Sequence, residues 1–250
     1  MKILALDSSG LVASVAVVEN DTLLAEYTVN YKKTHSQTLL PMLDEISNMT
    51  ELDLSTIDAI AVAGGPGSFT GLRIGSATAK GLGLALEKPL ISIPTTAAIA
   101  YNIWDTNKFV CPIMDARRNQ VYTGVYCYTD HRLDTVWEQD TMSIEALAEG
   151  LNCLDHEVIF LGDGVAVYRE KLEALLTIPF SFAPAHVNRQ RAAAVAALAE
   201  VYYKEGKIQT AEEHEPEYLR KSQAERERAE RESVKHADVL KKQKNGEKSE

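Results

Sequence analysis

The sequence predicts an α/β fold of two lobes made by duplication, and three observations lead there. An order of three strands, a helix, a strand and a helix occurs twice; Asp7 and Asp115 each close the first strand of a copy; and 250 residues at 45% hydrophobic composition can fill two modest cores. Two copies without close identity do not make a solenoid, which needs more and shorter repeats.

The first copy opens with "KILALD", "VASVAVVE" and "LLAEYTV", strands separated by turns at Ser8-Ser9-Gly10 and Asn20-Asp21. "SQTLLPMLDEISNM" follows as an amphipathic helix with Leu39, Leu43 and Ile46 at helical spacing, and Pro41 inside it is expected to cost a hydrogen bond and kink it. "IDAIAVAG" reads as a buried strand, then come a glycine-rich turn and helix, the strand "PLISI", and a helix capped by Thr95 or Thr96. The second copy runs through "FVCPIMDAR", "QVYTGVYCY" and "LDTVWEQ", a helix near "SIEALAEG", the strand "EVIFLG" and the helix "GVAVYREKLEALL". "RQRAAAVAALAEVYYKEG" is the last packed helix expected. The domains are therefore 1–104, 105–210 and a charged tail, 211–250, whose later part has helical propensity but no apolar stripe.

Composition narrows the function. A net charge of −10 argues against unaided binding of nucleic acid, which needs a surplus of Lys and Arg on some face. Cys111, Cys127 and Cys153 are odd in number and form no C-x-x-C, so neither a disulfide framework nor a thiolate zinc site is expected. The N-terminal apolar run is too short for a signal peptide and no stretch is long enough to span a membrane, so a cytoplasmic protein is expected.

"AGGPGSFTGLRIGSATAKGLGLAL" carries seven glycines between Ala63 and Leu86. A phosphate loop would have a Lys or a metal-holding hydroxyl close by, and Pro66 removes one backbone donor. Ser68 or Thr70 is placed to cap the helix instead. Within that helix Gly71, Gly75, Ala79 and Gly83 stand four apart and line one side, Ala77, Gly81 and Ala85 form a second small row, and Leu72, Leu82 and Leu86 cluster separately. Interior glycines cost about 1 kcal/mol each against alanine, so a close backbone approach must compensate. The approach is either the chain's own sheet or another subunit; the reading favoured is that one face serves another subunit.

"THSQTLLPML", "GGPGSFTGLRIG", "DARRNQVY" and "PEYLR", in that order, resemble the TsaB (YeaZ) family, over Met1 to about Arg220. The resemblance implies two actin-like, ribonuclease-H-like (ASKHA) lobes. It also implies a non-catalytic subunit that binds and stabilises a TsaD-like paralogue, which transfers threonylcarbamoyl to the adenosine beside the anticodon of tRNA, with a TsaE-like ATPase assisting. The paralogues of that family pair through the first two helices of the N-terminal lobe. Carried over, the interface comprises His35, Leu39, Leu43, Ile46, Gly71, Leu72, Gly75, Ala79, Leu82 and Gly83. The metal-binding H-x-x-x-H of the catalytic paralogue falls on Thr95 and Ile99, so no metal site and no cofactor are expected in this chain; ATP and metal belong to the partner subunits. tRNA is expected to be met only through the complex, a homodimer is expected when the partner is absent because the apolar helix pair would be exposed, and no membrane partner is expected.

Asp7, Ser8, Asp115, Arg117 and Arg118 are the cleft-lining candidates, the two arginines filling or rimming the cleft after Asp115. Asp7-Ser8-Ser9 reads as a phosphate loop or, the favoured reading, a hairpin turn. They sustain a second hypothesis, an actin-like ATPase or small-molecule kinase using Asp7, Asp115 and Mg²⁺. A metallopeptidase is weaker, since the His pair is missing. His35 lacks a nucleophile and an orienter and is assigned to the interface. Tyr122, Tyr126 and Tyr128 alternate along one strand and cover a sheet face.

Overall fold

Near-continuous apolar runs mark strands covered on both faces, and those strands form the centre of each sheet. The computed structural model describes residues 1–220; the tail from residue 221 onward lies outside the described residues. β1 (Lys2–Asp7), β2 (Val12–Glu19) and β3 (Thr22–Asn30) make an antiparallel meander. Asn20 and Asp21, both at positive φ, turn β2 into β3 with the hand that suits strand twist. β4 (Ala59–Gly65) and β5 (Leu90–Pro94) add in parallel beyond β1, giving the order β3-β2-β1-β4-β5.

The second sheet repeats that order. β6 (Phe109–Asp115), β7 (Gln120–Thr129) and β8 (Arg132–Ser143) form its meander, and β9 (Val158–Leu161) and β10 (Phe180–Phe182) extend it in parallel, as β10-β9-β6-β7-β8. β10 was not legible in the sequence, because three residues show no period.

Helices cover both faces of the first sheet. α1 (Leu39–Thr50) and α2 (Phe69–Leu86) enclose one core with Leu4, Leu6, Val15, Ile60 and Val62. α3 (Thr95–Ala100) and α6 (Ala192–Lys204) enclose another with Ile3, Ala5 and Ile91, which continues to Val110, Met114 and Tyr126 of the second sheet. α4 (Ile144–Leu154) and α5 (Gly164–Leu175) close the far face of that sheet over Ile113, Val121 and Phe160.

Several expectations change. Pro41 lies in the first turn of α1, where its missing N–H would have had no helical partner, so it breaks no helical hydrogen bond. Neither Thr95 nor Thr96 caps α3; Pro94 occupies the cap position and both threonines are buried inside the helix. α6, expected with the second lobe, packs on β1, β2, β4 and β5 of the first sheet. Its N-terminus is fastened there: Glu26 of β3 pairs with Arg191 and accepts from the Ala193 N–H at 3.0 Å, and Ser14 Oγ accepts from the Ala192 N–H at 2.9 Å.

The segment from Ala211, expected as a charged tail in which the resemblance makes residues 216–220 a docking segment, is partly a packed strap. Gln209 exchanges backbone hydrogen bonds with Leu90, Lys80 Nζ donates to the carbonyls of Glu212 (3.2 Å) and His214 (2.9 Å), and the Glu217 N–H donates to the Gly64 carbonyl at 2.7 Å. Ala211 and His214 are buried by these contacts, so Met1–Tyr218 forms one compact unit.

Candidate protein-binding face

The glycine-rich loop is occupied by the chain itself. Gly65 has φ +125°, open only to glycine at low cost, and a Cβ there would run into the Glu217 carbonyl of the strap. Ser68 Oγ accepts from the Gly71 N–H at 3.3 Å and caps α2.

α2 then divides its small residues between two faces. Gly71, Leu72, Gly75, Ala79 and Gly83 are all buried inside the chain. A Cβ on Gly75 would lie 2.5 Å from Ser8 Oγ and 3.6 Å from Val62, so glycine here lets α2 settle onto the first sheet. Leu82 packs half-buried against the same core. On α1, Leu39, Leu43 and Ile46 are buried with Met42. Apart from Leu82, which stays half-exposed, these residues, assigned to a partner interface from the sequence, are buried against the first sheet, which takes up that stripe.

The faces left over are different ones. On α2, Thr70, Arg73, Ala77, Gly81, Leu84 and Ala85 are exposed, a single face at helical spacing that contains the second small row. Leu84 is 56% exposed and Gly81 meets nothing within 4 Å. On α1 the outward side carries Leu40 (53% exposed), Pro41 and Met49 (78%). At the start of α2, Arg73 lies over the Phe69 ring at 4.0 Å and donates from Nε to the Tyr218 hydroxyl at 3.3 Å, while the Phe69 and Tyr218 rings are 4.7 Å apart. The strap thus borders this face.

His35 lies in a short turn ahead of α1 and points inward, its Nε2 2.8 Å from the Gly10 carbonyl, with Nδ1 buried and unpartnered. It braces the turn that follows β1. In that turn Asp7 is wholly buried; its Oδ1 accepts from Ser9 N (2.9 Å) and Ser9 Oγ (2.7 Å), whereas Oδ2 has no partner. Burial pushes the Asp7 carboxyl up to about 6, against the opposing pull of the Ser9 hydrogen bonds and of His35. Ser8 Oγ donates to the Gly71 carbonyl at 2.9 Å.

Asp115 ends β6 at the equivalent place. Its Oδ1 accepts from the Arg117 N–H at 2.9 Å and from the Tyr168 hydroxyl at 3.3 Å. Arg117, Arg118 and Asn119 are three consecutive left-handed residues at the hairpin tip, and both arginines are exposed, so they fill no cleft. Thr95 and Ile99 are both fully buried. Among the described residues no group of three His, Cys, Asp or Glu side chains could hold a metal ion. Of these donors the Ser8 hydroxyl is committed to Gly71, Asp115 accepts from Arg117 and Tyr168, and Asp7 keeps one oxygen without a partner among the described residues.

The sequence matches the family described as "TsaD: tRNA N6-adenosine threonylcarbamoyltransferase" over residues 22–228. It is 32% identical over 225 residues to the tRNA threonylcarbamoyladenosine biosynthesis protein TsaB of Bacillus subtilis, covering 90% of this chain and 96% of that one. Among solved structures, YeaZ from Pseudomonas aeruginosa superposes with a TM-score of 0.76 at 27% identity, over 87% of this chain and 99% of that chain. An inorganic polyphosphate/ATP-glucomannokinase from an Arthrobacter species reaches a TM-score of 0.50 at 16% identity, over 81% of this chain and 99% of that one, a likeness of fold alone. With these likenesses the two sheets are those of actin-like lobes.

Proposed function

The chain belongs to the TsaB family of tRNA threonylcarbamoyladenosine biosynthesis proteins, within the wider family of the threonylcarbamoyltransferase TsaD, and from that membership we propose that it is a non-catalytic subunit. It binds and stabilises a TsaD-like paralogue, which carries out the transfer. The bound surface is the outward face of α2 around Gly81 with the adjoining outward side of α1. On this reading nucleotide and metal reside on the partner subunits, a TsaE-like ATPase and tRNA are reached through the assembly, and a second copy covers the same face when the partner is absent.

One observation supports this most. Gly75 has a reason inside the chain, but Gly81 has none among the described residues: it meets nothing there within 4 Å, its φ is ordinary, and in mid-helix it costs about 1 kcal/mol against alanine. A backbone that gains nothing at home from losing its Cβ gains from close approach by another protein. Leu84 and Leu40 supply apolar area beside it.

Gly81→Leu tests the reading. The lone chain should keep its fold and melt no lower, because leucine is the better helix former and the site is open. Its affinity for a TsaD-like partner should fall at least about tenfold, a loss of about 1.4 kcal/mol. Unchanged affinity by titration calorimetry would reject this face. The actin-like ATPase or kinase hypothesis keeps one foothold, the free oxygen of Asp7. Tight binding and turnover of Mg·ATP by the isolated chain would favour it.

A further inference from the structure

Away from the partner face, the β2–β3 turn, the segment after α3 and the side of α6 surround a cavity of about 630 Å³. Its floor is the alanine side of α6, including Ala197, and its wall carries Tyr101 and Trp104. Trp104 is 56% exposed and its indole is held by two edge contacts, to Tyr101 at 5.5 Å and Tyr128 at 5.4 Å between centroids. A large apolar ring displayed to solvent on a rigid mount is a recognition feature.

Two carboxylates share this cavity. Glu200 is only 8% exposed, and its Oε1 accepts from the Asp21 N–H at 3.3 Å. Among the described residues no cation comes within ion-pair distance of it. Lys204, one helical turn further, lines the same cavity with no ion pair among the described residues, and Arg191 at the other end is committed to Glu26. Burial, and then the charges of Asp21 and Glu200, push the Tyr101 phenol up, which sets both acids near that ring. A largely buried acid that opens onto a cavity, with no ion-pair partner among the described residues, gains from a cation that arrives to pair with it.

We propose that this cavity binds an organic cation of the guanidinium class, its charge held by Glu200 and Asp21 and its flat face against Trp104 and Tyr101. The shape of the site selects that class. A bare metal ion would gain nothing from an indole and a row of alanines, whereas a planar, weakly hydrated cation stacks on an aromatic face and donates in a fork to carboxylates. The guanidinium can be a free small molecule or an arginine side chain of a peptide.

The test is titration of the full chain with ethylguanidinium, with an acetylated and amidated arginine peptide, and with uncharged ethylurea, followed by Trp104 emission and by calorimetry. Saturable binding of a guanidinium probe is expected at a Kd of about 1 mM or tighter, with no comparable binding of the urea. Stronger binding of the peptide assigns the site to a protein arginine; stronger binding of the free cation assigns it to a small molecule. Glu200→Gln should weaken binding about tenfold and Trp104→Leu, at an exposed position, should abolish the emission change while leaving the fold intact. Lys204→Ala should leave binding equal or tighter. Absence of saturation, equal binding of the urea, or loss of binding in Lys204→Ala would each overturn the proposal.

Discussion

Asp7→Asn should stabilise this protein at neutral pH and not in acid. The Asp7 carboxyl is fully buried and burial lifts it from 3.8 to about 6, so the folded state resists its ionisation. A raised carboxyl favours folding fully while it stays protonated, below pH about 4, and that advantage drains away as pH rises through about 6. A shift of about 2 units corresponds to about 3 kcal/mol at 1.36 kcal/mol per unit. Asparagine keeps an oxygen for the Ser9 N–H and hydroxyl and carries no charge, so relative to wild type it should gain up to about 3 kcal/mol between pH 4 and pH 7. For a chain of this length that is about 6–12 °C in melting temperature. Melts of both proteins at half-unit steps from pH 4 to 8 give the difference directly. A difference that stays flat with pH would refute the assignment of a charge-averse site at Asp7.

The remaining predictions concern packing. Gly75→Leu should lower stability by about 2–3 kcal/mol in the lone chain, since the new side chain meets Ser8 and Val62; a normal melt would contradict the inward placement of that row. Glu26→Ala should cost about 2 kcal/mol because it frees Arg191 and uncovers the start of α6, whereas Lys108→Ala, facing Glu157 at the surface, should cost under about 1 kcal/mol; equal melts would show the Glu26 pair to be ornamental. Burial pushes the Cys111 thiol up to about 12, so a thiol reagent at pH 8 should label exposed Cys153 in the native chain and Cys111 only after unfolding, as read by peptide mass spectrometry.

Both meanders were legible because alternation and turn chemistry are local: "VASVAVVE" and "LLAEYTV" flank Asn20-Asp21, and the two residues do take the left-handed turn. The duplication was legible for the same reason, as Asp7 and Asp115 sit at equivalent strand ends. The candidate face was only half legible. Spacing identified two small rows on α2, but spacing is symmetric about a helix axis and carries no sign for inside or outside. By spacing alone the row with more glycine reads as the partner's, whereas the structure packs it on the first sheet. The docking of the strap was not legible in composition, because it runs through the strap's own backbone groups: the carbonyls of Glu212 and His214 that accept from Lys80 and the Glu217 N–H that donates to Gly64.

The order of strands and helices, the twofold repeat and the existence of a glycine-relieved helix were written in the sequence, because each depends on neighbours within a few positions. Which row of that helix lies outward, that α6 crosses to the first sheet, and that Glu200 shares a cavity with Trp104 were settled only in three dimensions. Those facts depend on which distant surfaces exclude water from one another, and long-range burial leaves no local period to read.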